Sequence, residues 1–154
     1  MKQLWAGIVA VGLTMGVLSA AEKEVRWFTN LAEAQKIAVA EKKDLLVDFT
    51  GSDWCVWCIR LKKEVFNQTA FAAASKDFVL VELDFPQNKP QSEEEKKLNR
   101  ALAAQYGIEG YPTVLLMNAN GEVYAKTGYK PGGAEKYVKQ LLELKKNKTE
   151  KASK

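Results

Sequence analysis

Two cysteines occur in the 154-residue chain, and they stand together in Trp54-Cys55-Val56-Trp57-Cys58. An apolar run, Leu45-Leu46-Val47-Asp48-Phe49, precedes them, and a helical pattern follows from Ile59 to Phe66. A strand therefore delivers two thiols to the start of a helix. The unpaired amides and the dipole at such a terminus favour a thiolate over a thiol. The thiolate is the reactive form, so this placement makes Cys55 the more acidic and more exposed of the pair. Cys58 lies one turn further in, on the same face. The chemistry these residues support is dithiol–disulfide exchange, with Cys55 attacking and Cys58 resolving the mixed disulfide.

A static staple is the alternative for the cysteine pair. A bridge closing so short a loop restricts the unfolded chain little, which favours a redox role. Histidine is absent from the chain. That excludes Cys-His and Ser-His-Asp catalysis, histidine metal ligands and the Cys-x-x-Cys-His haem site, since Ile59 follows Cys58. Two cysteines cannot close a four-ligand zinc site. Neither a metal nor another cofactor is implied. A Cu(I)-binding reading stays open, because soft thiolates suit that ion. Beyond residue 21 it would have only Met117, on a core strand, to add a further sulfur.

Residues 1–21 read as a cleaved signal peptide. Lys2 supplies the positive start, Leu4 to Leu18 is uncharged and apolar, and Ser19-Ala20-Ala21 is a small-residue cleavage site. A membrane anchor is the alternative, at the short limit for spanning. A mature chain over 22–154 then forms a single domain in the periplasm. The formal net charge is +4, with a basic excess in Lys145-Lys146-Asn147-Lys148, Lys151 and Lys154. Without aromatic interleaving this is no nucleic-acid surface. It reads as a solvated tail, frayed from about 145. No separate dimerisation module is visible, and a monomer is expected.

Asp48 is an acid within an otherwise apolar strand. Burial would raise its pKa towards the range useful for proton transfer. The alternative is a half-exposed carboxylate capping a backbone amide. Asp53 reads as a solvated turn residue or helix cap. Trp54 and Trp57 flank the thiols. They suit an apolar landing surface for partner proteins, with Trp57 the more exposed and Trp54 equally suited to packing.

The elements that position these residues follow from local patterns. Capping boxes at Asn30 and Ser92 open two helices, the first ending near Lys43. Strands are expected at 45–50, 78–85 and 113–117, a short helix at 70–75, and a hairpin at Asn120-Gly121 into a strand ending at Thr127. A last amphipathic helix starts at Ala134. Helices between strands imply crossovers and parallel pairing, while the hairpin adds an antiparallel partner. The fold class is α/β, a central mixed sheet with helices on both faces.

Three separated motifs carry a resemblance to the thioredoxin superfamily: Val47-Asp48-Phe49 leading into Trp54-Cys55 and Cys58, the run Tyr106-Gly107-Ile108-Glu109-Gly110-Tyr111-Pro112-Thr113, and Asn120-Gly121-Glu122-Val123. They span about Trp27 to Leu144. The runs Asp48 to Cys55 and Val81 to Gln87 resemble secreted bacterial thioredoxin-like proteins of the periplasmic DsbH type. The resemblance implies a thioredoxin-like fold and a thiol–disulfide oxidoreductase, reducing or exchanging protein disulfides and drawing electrons from a membrane or periplasmic donor. An isomerase or oxidase of the same fold is the alternative. It implies a cis bond before Pro112, with the Tyr111 backbone free to pair with substrate, and proton exchange between Asp48 and Cys58. Departures are plain too. The segment from Asp84 to Tyr106 is longer than in small thioredoxins, and one extra residue separates Asp48 from Cys55. Val56-Trp57 replaces the usual dipeptides, and the lysine that neighbours the buried aspartate has no counterpart on the strand from Phe78.

Overall fold

The structure, a computed structural model, describes residues 25–152; the segment read as a signal peptide lies outside them. Five strands form one sheet in the order β1-β3-β2-β4-β5. They are β1 (Trp27–Phe28), β2 (Asp44–Thr50), β3 (Phe78–Asp84), β4 (Thr113–Met117) and β5 (Val123–Thr127). β2 is central and buried along its whole length. It pairs parallel with β3 and antiparallel with β4. Parallel neighbours need crossovers, and the helices between strands supply them.

Alternation along β2 divides the core. Leu45, Val47 and Phe49 pack with α1 (Leu31–Glu41) and with Leu102 and Tyr106 at the end of α4 (Glu93–Gln105). Leu46 faces the other side, under α2 (Val56–Leu61), α3 (Thr69–Ala74) and α5 (Gly133–Ala152). Asp48 and Thr50 share that second face by the period of two. The helix starts are those expected from sequence. Asn30 Oδ1 accepts from the Glu33 amide at 3.1 Å, and Ser92 Oγ from the Glu95 amide at 3.2 Å.

Four differences from the sequence reading stand out. The helix expected over 59–66 begins at Val56 and passes into a π-helical turn, Lys62–Phe66. Wider i→i+5 bonding lets Leu61, Val65 and Phe66 all reach the core. β1 was not expected; two residues are too few to show a period, and only pairing with β3 makes them a strand. The tail expected to fray from about 145 instead continues α5. Lys145 Nζ donates to the Asp77 carbonyl at 2.9 Å, and Lys148 Nζ meets Asp44 Oδ1 at 2.7 Å. The same two ammonium groups lie over the Phe78 and Tyr124 rings, 4.8 and 5.0 Å from their centroids. Asp53 caps no helix, as described below.

Candidate active site

β2 ends at Thr50, and the chain turns through Gly51 to Trp54 into α2. Cys55 is the helix N-cap: its backbone is extended and its Sγ accepts from the Cys58 amide at 3.2 Å. Cys55 and Cys58 are joined as a disulfide. Cys58 Sγ also accepts from the Gly51 amide at 3.4 Å. Both cysteines are buried, Cys55 only slightly less than Cys58. Helix geometry alone implied a larger difference, but neighbouring side chains shield the bridge. Glycine at 51 is required by packing, since a Cβ there would stand 2.5 Å from the Trp54 indole.

The turn is clamped to the end of β3 and to the longer segment after it. Ser52 donates its amide to Asp84 Oδ1 at 2.9 Å and its hydroxyl to Oδ2 at 2.5 Å. Trp54 Nε1 donates to the Phe85 carbonyl at 2.8 Å. Asp53 accepts the amides of Gln87, Asn88 and Lys89 at 3.0, 2.6 and 2.8 Å. These amides, Gln87's first, hold its carboxyl below the usual carboxylate range. Asp53 is thus a loop staple rather than a cap or a free turn residue. Its partners lie more than thirty positions away, so only the departure in segment length hinted at them.

The Tyr111–Pro112 peptide bond is cis. A Cβ on Gly128 would stand 2.9 Å from the Pro112 carbonyl, so glycine lets the chain leaving β5 pass this close to the loop. Trp54 meets the Tyr111 ring edge-on at 6.0 Å, and is 38% exposed. Trp57, 51% exposed, lies against Tyr129 at 5.1 Å, with the Arg60 guanidinium over both rings. Trp57, Arg60, Tyr111, Pro112 and Tyr129 line a groove of about 630 Å³. Val56 and Ile59 extend the exposed apolar surface beside the disulfide. Trp57 and Pro112 are therefore brought to one groove, and Trp54 joins it through Tyr111. Arg60 and Tyr129 were missed, Tyr129 because it is remote in sequence.

Asp48 sits behind this surface, 3% exposed, with no hydrogen-bond partner for Oδ1. The half-exposed alternative is therefore wrong. Burial drives its carboxyl well above the usual range, and the Glu82 and Asp84 charges add to this. Lys62 opposes them. The lysine absent from β3 is supplied by the π turn: Lys62 Nζ pairs with Glu82 Oε2 at 2.9 Å, and Glu82 is the cross-strand neighbour of Asp48. Met117 is fully buried on the opposite face of the sheet, in the core beneath α1.

A family model described as a thioredoxin-like domain matches residues 31–145. Disulfide bond reductase DsbH of Chlamydia pneumoniae is 35% identical over 122 residues, covering 79% of this chain and 73% of that protein. Thiol:disulfide interchange protein DsbD of Vibrio vulnificus (strain CMCP6) is 31% identical over 141 residues, but this chain spans only 22% of it. A solved DsbH oxidoreductase superposes with a TM-score of 0.74 at 34% identity, covering 78% of this chain and 83% of the other. A thiol pair at a helix start, a cis-proline loop and three concordant comparisons lead to one conclusion: the chain belongs to the thioredoxin-like family and is a thiol–disulfide oxidoreductase of the DsbH/DsbD type.

Proposed function

We propose that this protein reduces or exchanges protein disulfides in the periplasm, as a monomer, through the Cys55–Cys58 pair. The observation that carries the proposal is the bridge at the N-cap of α2, in a turn clamped to the loop after β3, beside an exposed apolar groove and a buried acid. The Cys55 thiolate attacks one sulfur of a substrate disulfide, and the other sulfur leaves as a thiolate. Cys58 passes its proton to the Asp48 carboxylate, and its thiolate attacks the Cys55 sulfur. The second substrate sulfur leaves and takes a proton from solvent. Two electrons have then moved to substrate, and the Cys55–Cys58 bridge remains. A dithiol donor in the membrane or periplasm resets it. Trp54, Trp57, Tyr111 and the cis Pro112 bind the substrate chain, the Tyr111 backbone by strand addition.

The reducing direction is supported by the similarity to a disulfide bond reductase, DsbH, and by the Val56-Trp57 dipeptide without histidine. Strong oxidants stabilise their reduced thiolate, and no cationic side chain between these cysteines does so. Trapping tests the residue roles: Cys58→Ser holds a mixed disulfide through Cys55, whereas Cys55→Ser holds none. Denaturant melts of both redox forms test direction. The oxidised form is to be at least as stable as the reduced; a reduced form more stable by several kcal/mol would assign an oxidase instead.

A further inference from the structure

Lysines cluster at both ends of α5, and the fold treats the two ends differently. Lys145 and Lys148, far along the helix, are spent on the Asp77 carbonyl and on Asp44. Lys130, just before the helix, and Lys136 and Lys139, in its first turns, are exposed. Among the described residues none of these three lies within ion-pair distance of a carboxylate. They line one groove of about 380 Å³, in which Glu143 is the one acid among the described residues. Lys136 and Lys139, three apart, share a helix face, whereas Glu135 is turned away from it. The Lys136 stem lies back over the preceding turn: a Cβ on Gly132 would stand 2.6 Å from its Cδ and 3.5 Å from its Nζ. Like charges gathered in this way repel one another, and no contact within the fold offsets that. Pro131 lines this groove and also the aromatic groove beside the disulfide, so the two meet there.

We propose that the protein prefers substrate segments with acidic side chains on one side of the disulfide cysteine: an apolar side chain next to that cysteine enters the aromatic groove, and the acids beyond it cross Pro131 onto Lys130, Lys136 and Lys139. This rests on the substrate-binding role given above to Trp57, Tyr111 and Pro112. Arg60, the cation of the aromatic groove, is already engaged. Its Nε pairs with Glu64 Oε1 at 2.9 Å, and its guanidinium lies over the Trp57 and Tyr129 rings, 5.2 and 5.3 Å from their centroids. Glu64 Oε2 also accepts from the Tyr129 hydroxyl at 2.7 Å, so wall and cation are locked together with the charge compensated. The aromatic groove therefore selects by apolar contact, and selection by charge falls to the lysines. An ammonium group is a point charge on a flexible stem, so it reads the sign of a side chain rather than one fixed geometry.

The test uses the full oxidised chain and a pair of peptides of equal length, each with a leucine beside an S-methylated cysteine. One carries aspartates beyond the leucine, its twin asparagines, and a second pair has the order reversed. Tryptophan fluorescence reads binding. At low ionic strength an aspartate peptide is to bind about tenfold more tightly than its twin, and the advantage is to shrink to about twofold or less in about 0.5 M salt. Lys130→Gln, Lys136→Gln and Lys139→Gln together are to erase it. Equal affinities for both pairs overturn the proposal, and so does an advantage that survives the triple variant. Peptides bound alike, with the triple variant losing only its adhesion to phosphatidylglycerol vesicles, would assign the lysines to a lipid surface and overturn it too. These peptides cannot react, so binding is read apart from the redox chemistry. The proposed reductase fails separately if the same sequences, joined as disulfides, are not reduced by the dithiol form.

Discussion

Asp44 and Asp48 stand on the same strand, point to the same face of the sheet and are both buried, at 8% and 3% exposure. Their surroundings differ completely. Asp44 accepts from the Tyr124 hydroxyl at 2.9 Å and from Lys148 Nζ at 2.7 Å, one oxygen to each. Asp48 has one oxygen without a partner, and the cation nearest its row is committed to Glu82. A buried carboxylate with both oxygens served acts as a clamp between β2, β5 and α5. A buried carboxylate left short of donors resists ionisation, which suits the proton transfer proposed for Asp48. The residue type is the same; the elements that pack over each end of β2 decide the role.

The sharpest way to break this contrast is to neutralise each acid in turn. Asp48→Asn is to slow resolution of the mixed disulfide about a hundredfold at neutral pH, within the range of a lost general base. Asp44→Asn is to leave that rate within about twofold, because position 44 is remote from the cysteine turn. Rapid-quench kinetics on a trapped mixed disulfide reads both, and equal losses would erase the distinction.

Stability is to move the opposite way. Asp44→Asn leaves Lys148 without its counter-charge and is to cost about 1–3 kcal/mol in denaturant melts. Asp48→Asn removes a poorly compensated buried charge and is to raise stability at neutral pH by about 1 kcal/mol. A destabilised Asp48→Asn would mean that the carboxylate holds the fold together.

The pH dependence follows from the raised Asp48 pKa. Between the unfolded value, about 3.9, and the higher folded one, the native state holds a proton that the unfolded state has lost. Stability contributed by this group therefore falls as pH rises through that window, by up to about 1.4 kcal/mol per pH unit, and is level above it. Subtracting the Asp48→Asn curve from that of the native protein isolates the slope. A flat difference would place Asp48 among ordinary surface carboxylates.

The smallest effects lie in the flanking pair. Lys62 lowers the Asp48 pKa and Glu82 raises it. Lys62→Met is to move the Asp48 midpoint up and Glu82→Gln to move it down, both by NMR titration. Shifts of the same sign would show that the pair acts through packing instead.

What could be read from the chain alone was local. The cysteine spacing, the apolar run before it, the caps at Asn30 and Ser92 and the Asn120-Gly121 turn each depend on neighbours within a few residues. Helix capping and tight-turn chemistry act over that distance, so these elements emerged nearly in place. Asp48 was recognisable as an anomaly because an acid interrupts an apolar strand. Its environment was not, since Lys62 and Glu82 reach it from other elements, 14 and 34 positions on. Trp27 and Phe28 were invisible as a strand without β3 beside them. The three amides gathered by Asp53 and the Lys148–Asp44 pair, 104 residues apart, belong to the same class. The sequence by itself determined which groups carry the chemistry and the local elements that hold them. Tertiary structure alone decided which buried acid would be paired and which left short of donors, because burial and electrostatic surroundings are set by whatever chain packs across the sheet, however distant in sequence.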